Sequence, residues 1–294
     1  MKRILVTGSS GLLGSKTVNE AGSKYEVYPT HATLALFPNS LKMNVTDESE
    51  VRHVISLIKP DVVVHTAAET NVDKCEDNKA YASRVNVEGS KHLAKICNQL
   101  GTRIIFISTD YVFDGEKGLY VETDSTNPIN HYGVTKLFGE QCITKLCSDF
   151  AILRTSVLYG LHPKKQNFVR WVISNLKKES QLAIVEDHYN SPTLAKNLAK
   201  TILEIIDKDI KGLYHVTGGE RISRYEFALK IAETFDFDTA LIRPVKMSKL
   251  KMWIAKRPKD SSLRVDKIRR EIDTKLLGVS QGLKEVRQEW EMKT

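Results

Sequence analysis

Arg3-Ile4-Leu5-Val6-Thr7-Gly8-Ser9-Ser10-Gly11-Leu12-Leu13-Gly14 runs from an apolar stretch through three glycines into a helical pattern. The apolar stretch reads as a first β-strand and the residues after Gly11 as the opening turn of a helix. Glycine permits positive φ and lets another backbone approach closely. A helix that opens directly after such a turn presents free N–H groups and the positive end of its dipole, which suits a pyrophosphate. A glycine pattern alone carries little weight, and a merely tight turn is the bland alternative. Placed between an N-terminal strand and a helix, the pattern points to a dinucleotide-binding crossover, with Gly8, Ser10, Gly11, Leu12, Leu13 and Gly14 at the ligand.

Working outward, apolar runs at 25–30, 61–65, 103–108 and 151–155 alternate with helical patterns at 11–21, 47–58, 80–100 and 132–146. Val62-Val63-Val64 and Ile104-Ile105-Phe106-Ile107 are continuously apolar, as strands buried on both faces must be. Asp47 followed by Glu50 has capping-box spacing. The alternation predicts an α/β fold, a Rossmann-like doubly wound parallel sheet. Beyond about residue 158 the pattern loosens. Helices are expected at 167–178, from the Ser191-Pro192-Thr193 turn to 206, at 223–235 after a Ser223 cap with Glu226 behind it, and at 282–291. A short strand is expected at 214–216 and a weak one at 238–242. This divides the chain into a dinucleotide-binding domain over 1–158, completed by parts of 180–216, and a smaller α/β substrate-binding lobe over most of 159–294.

The 294 residues are 41% hydrophobic and 27% charged, ordinary for a globular protein. No apolar run approaches the ~18 residues of a membrane helix. The basic tip Met1-Lys2-Arg3 leads into an apolar run that breaks at Gly8, a first strand rather than a signal peptide. Cys75, Cys97, Cys142 and Cys147 have neither metal spacing nor a disulfide pattern, so reduced thiols, a cytoplasmic location and no metal are expected. The formal net charge is +8. Residues 241–270 hold 11 Lys/Arg against two acids, Asp260 and Asp266. That segment is either a solvated basic face or a wall for an anionic substrate such as a diphosphate. No aromatic interleaving or motif supports a nucleic-acid surface.

Two further stretches carry chemistry. Ser108-Thr109-Asp110-Tyr111 ends an apolar run, and Tyr132-Gly133-Val134-Thr135-Lys136 follows. Four residues apart, Tyr132 and Lys136 share a helix face. An ammonium beside a phenol favours phenolate and lowers its pKa, so the pair can move a proton near neutral pH. Thr66-Ala67-Ala68 after the Val-rich strand offers room for a cofactor, with Ala67 and Ala68 as its contacts. Asn86 is either a structural hydrogen-bonding residue or a cofactor contact. An acid about 20 residues past the glycines would bind the ribose hydroxyls of NAD. Here the second strand ends Tyr28-Pro29-Thr30-His31-Ala32 with no acid before Asp47, which favours NADPH, with NADH as the alternative donor.

Taken in order, the glycine loop, the small residues, the Ser/Thr site and Tyr-x-x-x-Lys resemble the extended short-chain dehydrogenase/reductase family. Ser108-Thr109-Asp110-Tyr111-Val112-Phe113-Asp114-Gly115 is similar to the signature of its dTDP-4-dehydrorhamnose reductase branch. So are Asn71-Val72-Asp73-Lys74, Leu153-Arg154-Thr155-Ser156-Val157-Leu158-Tyr159-Gly160 and Arg257-Pro258. The resemblance implies reduction of the 4-keto group of a nucleotide-linked deoxysugar by NADPH, in glycan or polysaccharide precursor synthesis. It implies that Tyr132 protonates the forming alkoxide, that Lys136 lowers the Tyr132 pKa and binds the nicotinamide ribose, and that Thr109 hydrogen-bonds the same oxygen. It implies a sugar pocket lined by Lys74, Asp110 and Tyr111. Arg257 is the candidate for the diphosphate, because a guanidinium binds it in bidentate fashion. A homodimer is an expectation of the family alone.

The related 4,6-dehydratases have Thr-Asp-Glu where this chain has Thr109-Asp110-Tyr111, so elimination lacks its base and simple reduction is preferred. Val157 stands where the reductases often carry Trp, Asn44 follows Met43 where an Asp commonly meets adenine, and Glu69 replaces a frequent aromatic. Glu69 and Leu12-Leu13-Gly14 are also similar to the methionine adenosyltransferase regulatory subunit, a non-catalytic alternative. A nucleotide-sugar 4-epimerase or another reductase of the family is the third reading. The histidines are scattered and read as structural or surface residues, with His188 either near the substrate or at the surface. Trp171 and Trp253 read as packing residues.

Overall fold

Consecutive side chains of the central strands go to opposite faces, and both faces are buried. Ile4, Val6, Val62, Val64, Ile105 and Ile107 join one core, together with Leu13, Leu198 and Ile202. Leu5, Val63, Ile104 and Phe106 join another, together with Val51, Ile55, Leu93 and Ile143. Strands of this kind belong inside a sheet covered by helices on both sides. The computed structural model, which describes residues 1–250 and 253–292, shows such a sheet.

Its seven strands are β1 (Arg3–Thr7), β2 (Glu26–His31), β3 (Leu41–Lys42), β4 (Val62–His65), β5 (Arg103–Thr109), β6 (Phe150–Thr155) and β7 (Gly212–His215). They lie in the order β7-β6-β5-β4-β1-β2-β3, every pair parallel. The helices are α1 (Leu12–Ala21), α2 (Glu48–Ile58), α3 (Val72–Asp77), α4 (Lys79–Ser83), α5 (Gly89–Gln99), α6 (His131–Leu146), α7 (Phe168–Leu176), α8 (Ala195–Asp207), α9 (Arg224–Thr234), α10 (Asp266–Arg269) and α11 (Val279–Glu291). Residues of α1 and α8 build the first core and residues of α2, α5 and α6 the second. After β3 the chain crosses back to the other side of β1. The carboxyl ends of β1 and β4, in register at Thr7 and His65, therefore flank a topological switch point, where open α/β sheets bind ligands.

The Rossmann-like doubly wound sheet is thus present, and β7 with α8 returns to it from the second half of the chain. A third core joins Tyr159, Val172 and Ile173 to Ile184, Phe227, Ile231 and Leu283. It is built on α7, α9, α11 and a small sheet pairing Leu182–Val185 with Ile242–Val245. Among the described residues no helix is long and apolar enough to cross a membrane.

Three local expectations change. The helix expected at 80–100 is α4 and α5 joined by a π-helical turn, Arg84–Glu88, which contains the buried Asn86. The strand expected at 238–242 starts at its last residue and runs over Ile242–Val245, after a 3-10 turn capped by Asp238. At α2, Asp47 caps the N–H groups of Ser49 and Glu50, but the Glu50 carboxylate accepts from the Asn44 N–H at 2.7 Å. The full reciprocal box forms instead at Ser223 and Glu226.

Candidate active site

The glycine loop is set by close approach. Gly8 adopts φ 64°, and a Cβ there would lie 2.7 Å from the Ala67 Cα. Glycine therefore lets the loop after β1 rest on the loop after β4. Ser9 fastens it from the β2 side, its N–H and hydroxyl donating to the Thr30 carbonyl at 3.0 and 2.9 Å. Ser10 completes the turn, and α1 begins at Leu12, with Gly11 at its cap position and no side chain capping it. Its free amides lie where Gly11, Leu12, Leu13, Gly14, Thr66 and Ala68 line one side of a cleft of about 370 Å³. Gly8 and Ala67 do not line this cavity; they fix the separation of its two loops. An uncapped helix start beside such loops fits a dinucleotide pyrophosphate. At the end of β2, the His31 Nδ1 and the Ser40 hydroxyl are 2.8 Å apart, with no carboxylate in the strand's last turn of chain.

The facing side of the cleft carries the reactive groups. β5 delivers Thr109, a 3-10 turn (Asp110–Val112) follows, and α6 brings Tyr132 and Lys136. Thr109, Asp110, Tyr132 and Lys136 all line the cavity, as does Thr155, the register partner of Thr109. Gly133 lets α6 sit against that turn, since a Cβ there would overlap the Tyr111 carbonyl oxygen. The Tyr111 ring meets Tyr132 edge-on, 6.0 Å between centroids. The Lys136 ammonium lies 4.0 Å from the centroid of Phe106.

Burial dominates the electrostatics. It draws the Lys136 pKa down to about 7, and Glu140 opposes the shift. It pushes the Tyr132 phenol above its ordinary value, with the Thr109 hydroxyl acting the other way. Burial thus acts against the pull toward phenolate that a neighbouring ammonium exerts, since a dry site disfavours the charged form of both groups. Asp110 is buried and accepts from Thr109 at 3.1 Å, Ser156 at 2.8 Å and Ser261 at 2.5 Å. Burial raises its carboxyl and the three hydroxyls oppose that rise. Ser261 belongs to the second half of the chain, so Asp110 ties the two halves of the sequence together at the cleft.

Some candidates stand elsewhere. The Asn86 amide donates to the Glu69 carbonyl and the Thr135 hydroxyl, both at 3.0 Å, and its oxygen accepts from the Glu69 N–H at 2.9 Å. Every polar atom is spent on protein, so Asn86 is a clamp behind the wall of the cleft and not a cofactor contact in this structure. Lys74 turns outward to Glu69 at 2.6 Å and lies over the Tyr81 ring, so it does not line the sugar pocket. Arg257 grips Asp73 at 2.8 Å and the Ala255 carbonyl at 2.8 Å, and rests on Trp253. Asp73 also accepts from the N–H groups of Ile254 and Ala255, so it anchors the segment 254–257 to the first half of the chain. Tyr111 is buried against Tyr132 rather than lining the cavity.

Other contributors were not read from the sequence. Ser108 donates to Glu140 at 2.5 Å, and Arg154 grips the same carboxylate through Nε at 2.9 Å and Nη2 at 2.7 Å. This buried trio fixes α6 to β5 and β6. Lys165, Gln166 and Asn167 form the far rim of the cleft. Val157, also in the lining, has φ 40°, a strained conformation for a β-branched residue.

Known proteins resemble this chain in sequence and in fold. Residues 1–292 match the model of the RmlD substrate binding domain. The chain is 34% identical over 273 residues to bovine (Bos taurus) methionine adenosyltransferase 2 subunit beta, covering 89% of this chain and 80% of that protein. It is 35% identical over 275 residues to a probable low-salt glycan biosynthesis reductase of Haloferax volcanii, covering 91% of each. The crystal structure of dTDP-4-dehydrorhamnose reductase from Bacillus anthracis in complex with NADP superimposes with a TM-score of 0.91 at 32% identity, covering 98% of this chain and 100% of that one. With its glycine loop, its Thr109 turn and its Tyr132–Lys136 helix gathered at one cleft, the chain belongs to the RmlD substrate binding domain family, within the extended short-chain dehydrogenase/reductase fold.

Proposed function

We propose that this protein uses NADPH to reduce the 4-keto group of a nucleotide-linked deoxysugar for glycan or polysaccharide precursor synthesis. The observation that carries the reading is the convergence of Tyr132, Lys136 and Thr109 on the cleft opened by the uncapped start of α1. In this reading residues 1–158, with α8 and β7, hold the cofactor, and the rest of the chain forms the substrate lobe. Gly11, Leu12, Leu13 and Gly14 would hold the pyrophosphate, and the acid-free end of β2 suits a 2′-phosphate. When bound, NADPH supplies a hydride.

The chain's own residues handle the oxygen. Tyr132, kept protonated by burial, donates its proton to the oxygen of the reduced carbonyl. Lys136, with a pKa near 7, stands one helical turn away and can replace that proton. The Thr109 hydroxyl, here donating to Asp110, is the second polar group beside the same oxygen. Tyr111, pushed up to about 12 by burial, offers no base at neutral pH, which supports reduction over elimination of water.

The test is NADPH oxidation with dTDP-4-dehydro-6-deoxyhexose, wild type against Tyr132→Phe, with NADH run in parallel. Turnover that falls by about 10²–10⁴-fold in the variant is expected for loss of a general acid. Wild-type turnover that survives the substitution would remove Tyr132 as proton donor. The identity to methionine adenosyltransferase 2 subunit beta favours a second reading, a regulatory subunit. NADPH binding without turnover, together with a stable complex with a methionine adenosyltransferase catalytic subunit, would select it.

A further inference from the structure

Several polar side chains in the second lobe are buried without partners. His188 is 2% exposed and neither ring nitrogen has a hydrogen-bond partner; Asn190 is fully buried and neither amide atom has one. The Nη1 of Arg224 is buried and unpartnered as well, and no carboxylate pairs with Arg224 among the described residues. Each such group pays its desolvation without a compensating hydrogen bond, so a cluster of them calls for a ligand that completes it.

The groups are neighbours. His188 directly precedes the short strand Tyr189–Asn190, so in this extended segment the His188 and Asn190 side chains fall on one face, and the His188 carbonyl accepts from the Arg224 N–H at 2.9 Å. The charges of Arg224 and Arg257 both reach the His188 ring and the Tyr111 phenol. Trp253, between Arg257 and His188, lies 5.8 Å from the imidazole centroid. The cluster adjoins the reactive end of the cleft: Tyr189 accepts from the Ser261 N–H at 3.0 Å, and the Ser261 hydroxyl holds Asp110. Burial, together with the charge of the two arginines, keeps His188 neutral, so it can donate one hydrogen bond to an anion without adding charge.

We propose that Arg224, His188 and Asn190 form the subsite for the diphosphate of the substrate nucleotide, with Arg257 as a flanking cation fixed by Asp73. This rests on the nucleotide-sugar reading and assigns the principal anion contact to Arg224. Arg257 already spends two of its five donors on protein, whereas Arg224 brings a guanidinium with no carboxylate partner. A helix surface position after the Ser223 cap gave no hint of this in the sequence.

The experiment is calorimetric titration of dTDP and UDP, and separately of thymidine, into the NADPH-saturated full chain, wild type and Arg224→Met, with melting temperatures of both proteins. Arg224→Met removes a charge whose Nη1 is buried without a partner and keeps an apolar stem against Phe168, so the ligand-free variant should melt no lower than wild type. Its dTDP affinity should fall by about 10–100-fold, as for a lost charged hydrogen bond, with thymidine affinity unchanged. Arg224→Lys, which keeps the charge without the fork, should fall between. Unchanged dTDP affinity in Arg224→Met overturns the subsite and leaves the reductase reading standing; so does a lower melting temperature with equal loss for dTDP and thymidine, which marks a structural role. A wild type that binds NADPH but no dTDP or UDP removes the nucleotide-sugar reading, and the subsite with it.

Discussion

Glu140 is the position where a single substitution tests the support of the reactive helix. It lies one turn beyond Lys136 on α6, 4% exposed, and holds Arg154, also 4% exposed, in a bidentate grip while accepting from Ser108. Glu140→Ala strips the acceptor from both. The larger effect is on Arg154, whose charge stays buried with no counter-ion, and breaking such a pair costs about 3–5 kcal/mol. At about 2–4 °C per kcal/mol for a chain of this size, the melting temperature should fall on the order of 10 °C. A double variant, Glu140→Leu with Arg154→Met, removes both charges. It should regain most of the loss, short by the ~1–3 kcal/mol left at the unsatisfied Ser108 hydroxyl. Scanning calorimetry of wild type, single and double variants at neutral pH measures this. A single-variant loss under about 1 kcal/mol, or a double variant no more stable than the single, would refute the argument that charge compensation, and not packing, holds the trio. Because Glu140 also opposes the fall of the Lys136 pKa, a Glu140→Gln enzyme should show its kcat–pH profile moved toward acid.

Lys136→Met tests burial as the main force on the lysine. The folded-state pKa is about 7 and the unfolded value about 10.4, so the folded protein binds fewer protons between them and gains stability as pH rises through that window. Below about pH 7 the full cost of the buried ammonium is present. The variant should therefore melt higher than wild type near pH 6, with the gap closing toward pH ~10; a gap independent of pH would contradict the assignment. Gly133→Ala tests the approach of α6 to the Thr109 turn. The added Cβ would overlap the Tyr111 carbonyl oxygen and lie 2.9 Å from the Pro128 Cβ, so the helix must shift. A displacement of ~1 Å at Tyr132 should lower kcat by about 10²-fold while NADPH affinity, which the proposed function places mainly at the start of α1, falls much less; equal losses in both would show a general collapse instead.

The sheet was legible because its cause is local. Runs such as Val62-Val63-Val64 and Ile104-Ile105-Phe106-Ile107 have no polar face to offer solvent, and only a sheet covered on both sides buries them. The glycine loop was legible for a similar reason: strand, tight turn and helix are consecutive in the chain. The π-helical turn at Arg84–Glu88 was not, because it answers a tertiary demand, turning the Asn86 amide inward to both backbone groups of Glu69 and the Thr135 hydroxyl. An alternation pattern cannot show where a helix must take an extra residue per turn to aim one side chain.

The reactive site divides along the same line. Tyr132 and Lys136 were readable because spacing of four places them on one face, but the direction of their pKa shifts was not, because it depends on how dry the cleft is. A short distance between a phenol and an ammonium would favour phenolate in a polar site; in this cleft burial disfavours the charged form of each. The same dependence on assembled surroundings governs the arginines. Arg257 stood out through its neighbour Pro258 and the basic segment around it, yet Asp73, far off in sequence, pairs with it. Arg224 sat unmarked at the start of an amphipathic helix and emerges with its Nη1 buried and unpartnered. Pattern reveals which side chains share a surface, whereas the fold decides which charges are compensated by protein. A guanidinium nitrogen buried without an acceptor is a standing cost that folding alone does not repay, and this is why Arg224, and not the more conspicuous Arg257, is the stronger candidate for an anion contact.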